Sequence, residues 1–201
     1  MKNSEPSPKI AGILLAAGVA SRMGKPKLLL PWKGEALIHR AARVAVESGL
    51  EPVVIVTGAG AEGIAAALQD LPVQLIHNPN WQEGQSTSVR AGVEALPADC
   101  QAVVFLLGDQ PFVGADLIQN LVDTYLKDRP TILAPHVNGK RVNPVIFDRM
   151  VFAHLLKLEG DAGARSIFGT FPPAAMPWPD EKVLLDIDTP EDYERLSKLI
   201  E

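Results

Sequence analysis

Three short stretches of this chain, Ile10–Ala16, Val53–Val56 and Val103–Leu107, are apolar almost without interruption. A strand with one face in water alternates apolar with polar residues, so runs like these must be covered on both faces. Each is followed by a longer amphipathic stretch, the pattern of parallel strands joined by crossing helices. The sequence therefore predicts an α/β fold with three layers, α/β/α, around a mostly parallel sheet. Strands are expected at Ile10–Ala16, Pro52–Thr57, Val73–His77, Ala102–Leu107, near Thr131–Pro135, over Val145–Phe147 and over Lys182–Ile187. Helices are expected at Glu35–Ser48, Ala61–Gln69, Ser86–Leu96, Gly114–Tyr125, Asp148–Lys157 and Asp161–Phe168, with a turn at Asn138–Gly139. A last helix should open at Thr189, where Pro190 fits the first helical position and Glu191 and Asp192 make an acidic first turn.

The length of 201 residues suits one domain over 10–201 behind a flexible tail of 1–9. Pro172 to Pro179 is proline-rich, but the strand and helix expected after it would complete the same sheet, so the chain is not divided there. Nineteen basic against 24 acidic side chains give a net charge of −5, which leaves no general basic field for a nucleic acid. Any anionic ligand must be held locally. The single cysteine, Cys100, can form no internal disulfide, which suits a reducing compartment. No charged start followed by a long apolar run marks a signal peptide, and no apolar segment approaches the roughly 20 residues of a membrane span. The expectation is a cytoplasmic protein without a membrane partner.

Chemistry concentrates in three segments. The first is the loop after the first strand, Leu15-Ala16-Ala17-Gly18-Val19-Ala20-Ser21-Arg22-Met23-Gly24-Lys25-Pro26-Lys27. Ligands of doubly wound sheets bind beyond the carboxyl ends of the strands, and small residues there let backbone N–H groups approach phosphates. Arg22, Lys25 and Lys27 add cationic partners for a polyanion. This is not a Walker A loop, because five residues separate Gly18 from Gly24 and Pro26 follows Lys25; it also lacks the GxGxxG dinucleotide fingerprint. The second segment is Gly108-Asp109-Gln110-Pro111, which puts a carboxylate at a strand's carboxyl end, suited to a hard cation such as Mg²⁺. The third is Asp186-Ile187-Asp188-Thr189, where alternation would point both carboxylates the same way across the cleft from Asp109, unless one of them caps the final helix. Of the four histidines only His77, at a strand end, is well placed for a site; His39, His136 and His154 read as structural or solvent-facing. Trp32, Trp81 and Trp178 read as core or pocket walls before partner anchors.

The first loop resembles the signature of nucleotidyltransferases that activate sugars and cofactors with a nucleoside triphosphate. Together with Asn78-Pro79-Asn80-Trp81-Gln82-Glu83-Gly84-Gln85-Ser86-Thr87-Ser88, Gly108-Asp109-Gln110-Pro111, Gly160-Asp161-Ala162-Gly163-Ala164-Arg165 and Asp186-Ile187-Asp188-Thr189-Pro190-Glu191-Asp192, it resembles the molybdenum cofactor cytidylyltransferase family over residues 10–200. That resemblance implies a Rossmann-like nucleotidyltransferase fold and transfer of CMP from CTP to the terminal phosphate of molybdopterin, with Mg²⁺ and release of pyrophosphate. It implies that Leu15, Ala16, Ala17 and Gly18, with Ser21 and Gly24, frame the nucleotide, and that Arg22 and Lys27 hold the triphosphate. Asn78, Gly84, Ser86 and Ser88 would approach the base or ribose. Asp109 would bind the metal, helped by Asp188, so that Arg22, Lys27 and Asp109 form the catalytic set. Asp161 and Arg165 would contact or order the pterin phosphate. Arg141 and Asn143 line the same side, or else form only a turn ahead of an inner strand. Leu-Ala-Ala-Gly resembles the cytidylyl branch, whereas the guanylyl branch carries two adjacent glycines. A guanylyl or sugar-phosphate nucleotidyltransferase, and a non-catalytic carrier that passes finished cofactor to a recipient molybdoenzyme, stay open as alternatives.

Overall fold

The computed structural model describes residues 8–18 and 26–199. In chain order its strands are β1 (Ile10–Ala16), β2 (Pro31–Trp32), β3 (Glu35–Ala36), β4 (Val53–Thr57), β5 (Gln74–His77), β6 (Ala102–Leu107), β7 (Ile132–Val137), β8 (Lys140–Arg141), β9 (Val145–Asp148) and β10 (Ala174–Pro177). The helices are α1 (Leu37–Glu47), α2 (Ala61–Ala67), α3 (Gln85–Glu94), α4 (Ala115–Asp128), α5 (Phe152–Leu155) and α6 (Pro190–Ser197). The main sheet runs β10-β7-β9-β6-β1-β4-β5, with β8 hairpinned onto β7. β1 pairs in parallel with both β4 and β6, β4 with β5, and β7 with β10, while β9 lies antiparallel between β6 and β7. The fold is the expected mixed α/β one with a mostly parallel sheet.

The continuous apolar runs behave as the pattern requires. Along β1, β4 and β6, Leu14, Ile55 and Val104 belong to one core cluster with Leu117, Ile118 and Leu121 of α4 and Ile38 and Ala42 of α1. Their neighbours Ile13, Val54 and Val103 face the opposite cluster, with Val89 and Val93 of α3 and Leu155 of α5. Successive side chains of a strand point to opposite faces, so only a strand buried on both sides can be apolar throughout. A third, smaller cluster of Trp32, Leu37, Ile187 and Leu196 fastens the C-terminal segment to the N-terminal third of the chain, with the Trp32 ring edge-on to Phe112 and Tyr193. Trp32 is thus a core residue.

Several expected elements need correction. Glu35 and Ala36 pair with β2, so α1 starts only at Leu37. Asp148–Lys157 divides into a 3₁₀ turn at Arg149–Val151 and the short α5, and Asp161–Phe168 holds a 3₁₀ turn at Ala164–Gly169 in place of an α-helix. The largest change is near the end of the chain. Glu181–Leu184 forms a 3₁₀ turn that Asp180 caps by accepting from the Lys182 N–H, so no strand forms over Lys182–Ile187. The sheet gains its last strand inside the proline-rich segment instead, at Ala174–Pro177. Proline is tolerated there because β10 is an edge strand, where an N–H can be missing without breaking a ladder. At Thr189 the expected helix start holds: Thr189 Oγ1 accepts from the Asp192 N–H, and Asp192 returns the bond to the Thr189 N–H. Among the described residues, no helix is long and apolar enough to cross a membrane.

Candidate nucleotide and metal site

Parallel pairing brings the carboxyl ends of β1, β4, β5 and β6 to one edge of the sheet. From β1 the chain crosses outward through β4 to β5, then returns to place β6 on the other side of β1. The crevice between the ends of β1 and β6 is therefore the topological switch point, the usual ligand position in such sheets. Ala17 and Gly18 end one wall and Gly108 and Asp109 the other. Ala17 is buried and its carbonyl accepts from the Ala59 N–H, which pins the turn to the segment after β4; Gly18 is exposed. Ser21, Arg22 and Gly24 lie outside the described residues.

Lys27 occupies the centre of this crevice. Its Nζ donates to Asp109 Oδ2 at 2.8 Å and to Asp188 Oδ1 at 3.0 Å. Burial lowers the ammonium's pKa, but the hydrogen bonds and charges of Asp109 and Asp188 outweigh it and leave the pKa raised. Two local features place this lysine. Leu28 lies against Gly108, where an added Cβ would come within 2.8 Å of its Cδ2, so the residue after Lys27 rests on the residue before Asp109. The two acidic loops are also tied to each other, because the Ile187 N–H donates to the Asp109 carbonyl at 2.9 Å. From below, Arg40 of α1 reaches across a small cavity lined by Leu37, Leu107, Gln110 and Pro144, and its Nε donates to the Pro111 carbonyl at 2.7 Å. Sequence reasoning did not single out Arg40, since an arginine on an amphipathic helix carries no motif.

The residues at this centre fit a divalent ion. The second oxygen of Asp109, Oδ1, is buried without a hydrogen-bond partner. Leaving a buried acceptor unpaired costs free energy unless a ligand satisfies it. Asp109 and Asp188 offer hard oxygen donors, and a cationic head already sits between them. Asp186 is exposed, its carboxyl pushed upward by partial burial and by the charges of Asp188 and Asp109. Among the described residues no set of three or more His, Cys, Asp or Glu side chains converges as a metal site. The remaining ligands would be phosphate oxygens or water, the common arrangement for Mg²⁺.

The other expected residues divide into two groups. Asn78 is buried and its side chain is fully engaged in shaping a turn. Its Nδ2 donates to Thr87 Oγ1 at 2.8 Å and Ser88 Oγ at 2.9 Å, and its Oδ1 accepts from the Asn80 N–H at 3.0 Å. Asn78 and Ser88 thus order the start of α3, while Ser86 Oγ is fully buried with no partner. Gly84 has φ +115°, and a Cβ there would collide with the Gly160 carbonyl; the Ser86 N–H donates to that same carbonyl at 3.1 Å. This contact joins the Gly84–Ser88 turn to the Gly160–Arg165 segment. Asp161 and Arg165 are exposed beside it. Asn143 is half-buried just before β9, at the same edge, and the Arg141 guanidinium lies 4.4 Å from the Phe168 ring centroid. Of the histidines, His77 is exposed, His39 is paired with Glu35 and Asp70, and His154 packs edge-on to Phe171.

With this strand order and this site, the fold is that of a nucleotidyltransferase. The chain belongs to the MobA-like NTP transferase family, whose domain matches residues 12–175. Among curated relatives, the purine catabolism protein PucB of Bacillus subtilis is 33% identical, covering 96% of this chain and 98% of its own length. Nicotine blue oxidoreductase of Paenarthrobacter nicotinovorans is 31% identical over 94% of this chain and 97% of its own. The molybdenum cofactor cytidylyltransferase of Escherichia coli is 26% identical over 90% and 92%. Among solved structures, Rv0371c of Mycobacterium tuberculosis superposes with a TM-score of 0.85 at 27% identity, covering 96% of this chain and 100% of that one. A complex of Rv0371c with manganese superposes at 0.76, again at 27% identity, over 94% and 98%.

Proposed function

We propose that residues 10–201 act as one domain that transfers CMP from CTP to the terminal phosphate of molybdopterin, with Mg²⁺ held by Asp109 and Asp188. The observation that carries this reading is the Lys27-bridged acidic pair at the switch point between β1 and β6. The Escherichia coli relative and the order of the motifs along the chain support the choice of substrate. An oxygen of the pterin phosphate attacks the α-phosphorus of CTP, the bond from that phosphorus to the bridging oxygen breaks, and pyrophosphate leaves. A phosphate monoester is largely ionised near neutrality, so no side chain has to take its proton. The protein's task is to align two anions and offset their repulsion. At 4 Å each pair of unit charges repels by about 4 kcal/mol at an effective dielectric near 20. The divalent ion supplies charge neutralisation on the phosphates when bound. Lys27 and Arg22 steady the triphosphate, the turn that Asn78 orders frames the base or ribose, and Asp161 and Arg165 face the acceptor. The product would then pass to a recipient molybdoenzyme.

The names of the Paenarthrobacter nicotinovorans and Bacillus subtilis relatives point to other chemistry, so the test must be able to reject the transferase reading. Pyrophosphate release is measured with Mg²⁺, molybdenum-loaded molybdopterin and each of CTP, GTP and ATP in turn. A strong CTP signal that needs both pterin and metal is expected. A GTP or ATP signal overturns the base assignment, and silence with all three nucleotides despite tight cofactor binding favours a carrier.

A further inference from the structure

We infer that Lys27 is a built-in counter-cation that fills the space between Asp109 and Asp188 until a nucleoside triphosphate arrives, so that the divalent ion enters together with the nucleotide and not ahead of it. The inference rests on the reading of Asp109 and Asp188 as metal ligands.

The lysine's Nζ bonds both carboxylates, at 2.8 and 3.0 Å, and its side chain is only 17% exposed. An ammonium so placed satisfies one oxygen of each acid and blocks the space between them. A divalent ion brought to the same place would meet a like charge a few ångströms away, and would find only two protein carboxylates for a coordination shell of about six oxygens. Both difficulties are removed by one ligand. A triphosphate contributes the missing oxygens and also gives the displaced ammonium a new anionic partner. Before the exchange the lysine pairs with the acids; afterwards the ion pairs with the acids and the lysine with phosphate.

The local structure suits a short swing of this kind. The Lys27 backbone is fixed: its carbonyl accepts from the Leu30 N–H at 3.1 Å, and Leu28 is seated on Gly108. Only the flexible four-carbon stem has to move. Ion and nucleotide then bind with positive coupling, each raising the affinity of the other by the same factor.

A lysine that serves only to bind phosphate, or only to stiffen the fold, gives no reason for its loss to improve metal binding. The test is therefore Mn²⁺ binding to the full chain, followed by water-proton relaxation, without acceptor and with or without CTP or GTP. Wild-type protein is expected to bind Mn²⁺ alone weakly and at least tenfold more tightly with the nucleotide. Lys27→Met is expected to bind Mn²⁺ alone at least tenfold more tightly than wild type and to show a smaller nucleotide effect, the part left being the oxygens the triphosphate supplies; Lys27→Gln serves if the methionine variant fails to fold. Equal or weaker Mn²⁺ binding by the variant, with nucleotide-coupled binding in wild type, overturns the lysine's role and leaves the metal reading standing. No Mn²⁺ binding by either protein, alone or with nucleotide, overturns both.

Discussion

The two edges of the main sheet treat their polar groups in opposite ways. At the amino edge they bond to one another: Tyr125 OH donates to Asp148 Oδ2 at 2.5 Å, Arg129 donates to Gln101 Oε1 at 3.0 Å, and Arg149 donates to the Cys100 carbonyl at 2.9 Å. At the carboxyl edge the bonding is left unfinished. Ser86 Oγ, Asp109 Oδ1, Gln110 Oε1 and Trp178 Nε1, the four buried side-chain atoms without a partner among the described residues, all lie in segments at that edge. Buried polar groups are nearly always hydrogen-bonded, so these four exceptions set the carboxyl edge apart from the amino edge. One edge is closed by its own hydrogen bonds and the other keeps polar atoms free, as the proposed site requires.

Mutations should keep these roles apart. The largest effect is expected from Asp109→Ala, which should lower pyrophosphate release at least a hundredfold while the thermal midpoint stays within about 2 °C of wild type. If that variant keeps its turnover, or loses stability as an amino-edge variant does, the contrast between the edges breaks. Tyr125→Phe should do the reverse. Removing a donor to a carboxylate costs about 1–2 kcal/mol in urea unfolding, with kcat and KM per folded molecule unchanged. The smallest effect belongs to the outer face of α1, which takes part in neither role. His39 lies between Glu35 and Asp70, and although burial lowers its pKa, the bonds to these two acids outweigh that and raise it. A raised folded pKa adds stability that is complete below the unfolded value near 6.5 and is lost as pH rises through the folded value. His39→Gln should therefore lose under about 1 kcal/mol at pH 5.5 and nothing measurable at pH 9, seen as the shift in urea midpoint at each pH.

How much of this was legible in the sequence depended on what kind of physics decided each element. β1 and β6 begin and end where their apolar runs do, because burial on both faces writes itself into composition. Asp109 was legible for a related reason: a carboxylate directly after such a run can only stand at the sheet's carboxyl edge. The end of the chain was harder. The apolar run Val183–Leu185 imitates a strand, yet Asp180 turns the backbone there. The real strand, Ala174–Pro177, is hidden by its prolines, which only its place at the sheet's edge makes harmless. Asn78 shows the same limit at the site. Its position beside the crevice could be read from the chain, but not that its side chain would be occupied by Thr87, Ser88 and Asn80, since those bonds depend on how the turn closes. The sequence marks Lys27 as a phosphate ligand; that it bridges two acids from distant segments shows only in the tertiary structure.

The ends of those two ion pairs are 82 and 161 positions apart. A ribosome making this protein must therefore pass Asp188 before Lys27 can meet it, and the small cluster around Trp32 joins that late segment to an early one. No chain that stops short of Asp188 carries the assembled centre, so the Lys27-bridged acidic pair exists only once β1, β6 and the segment before α6 have come together.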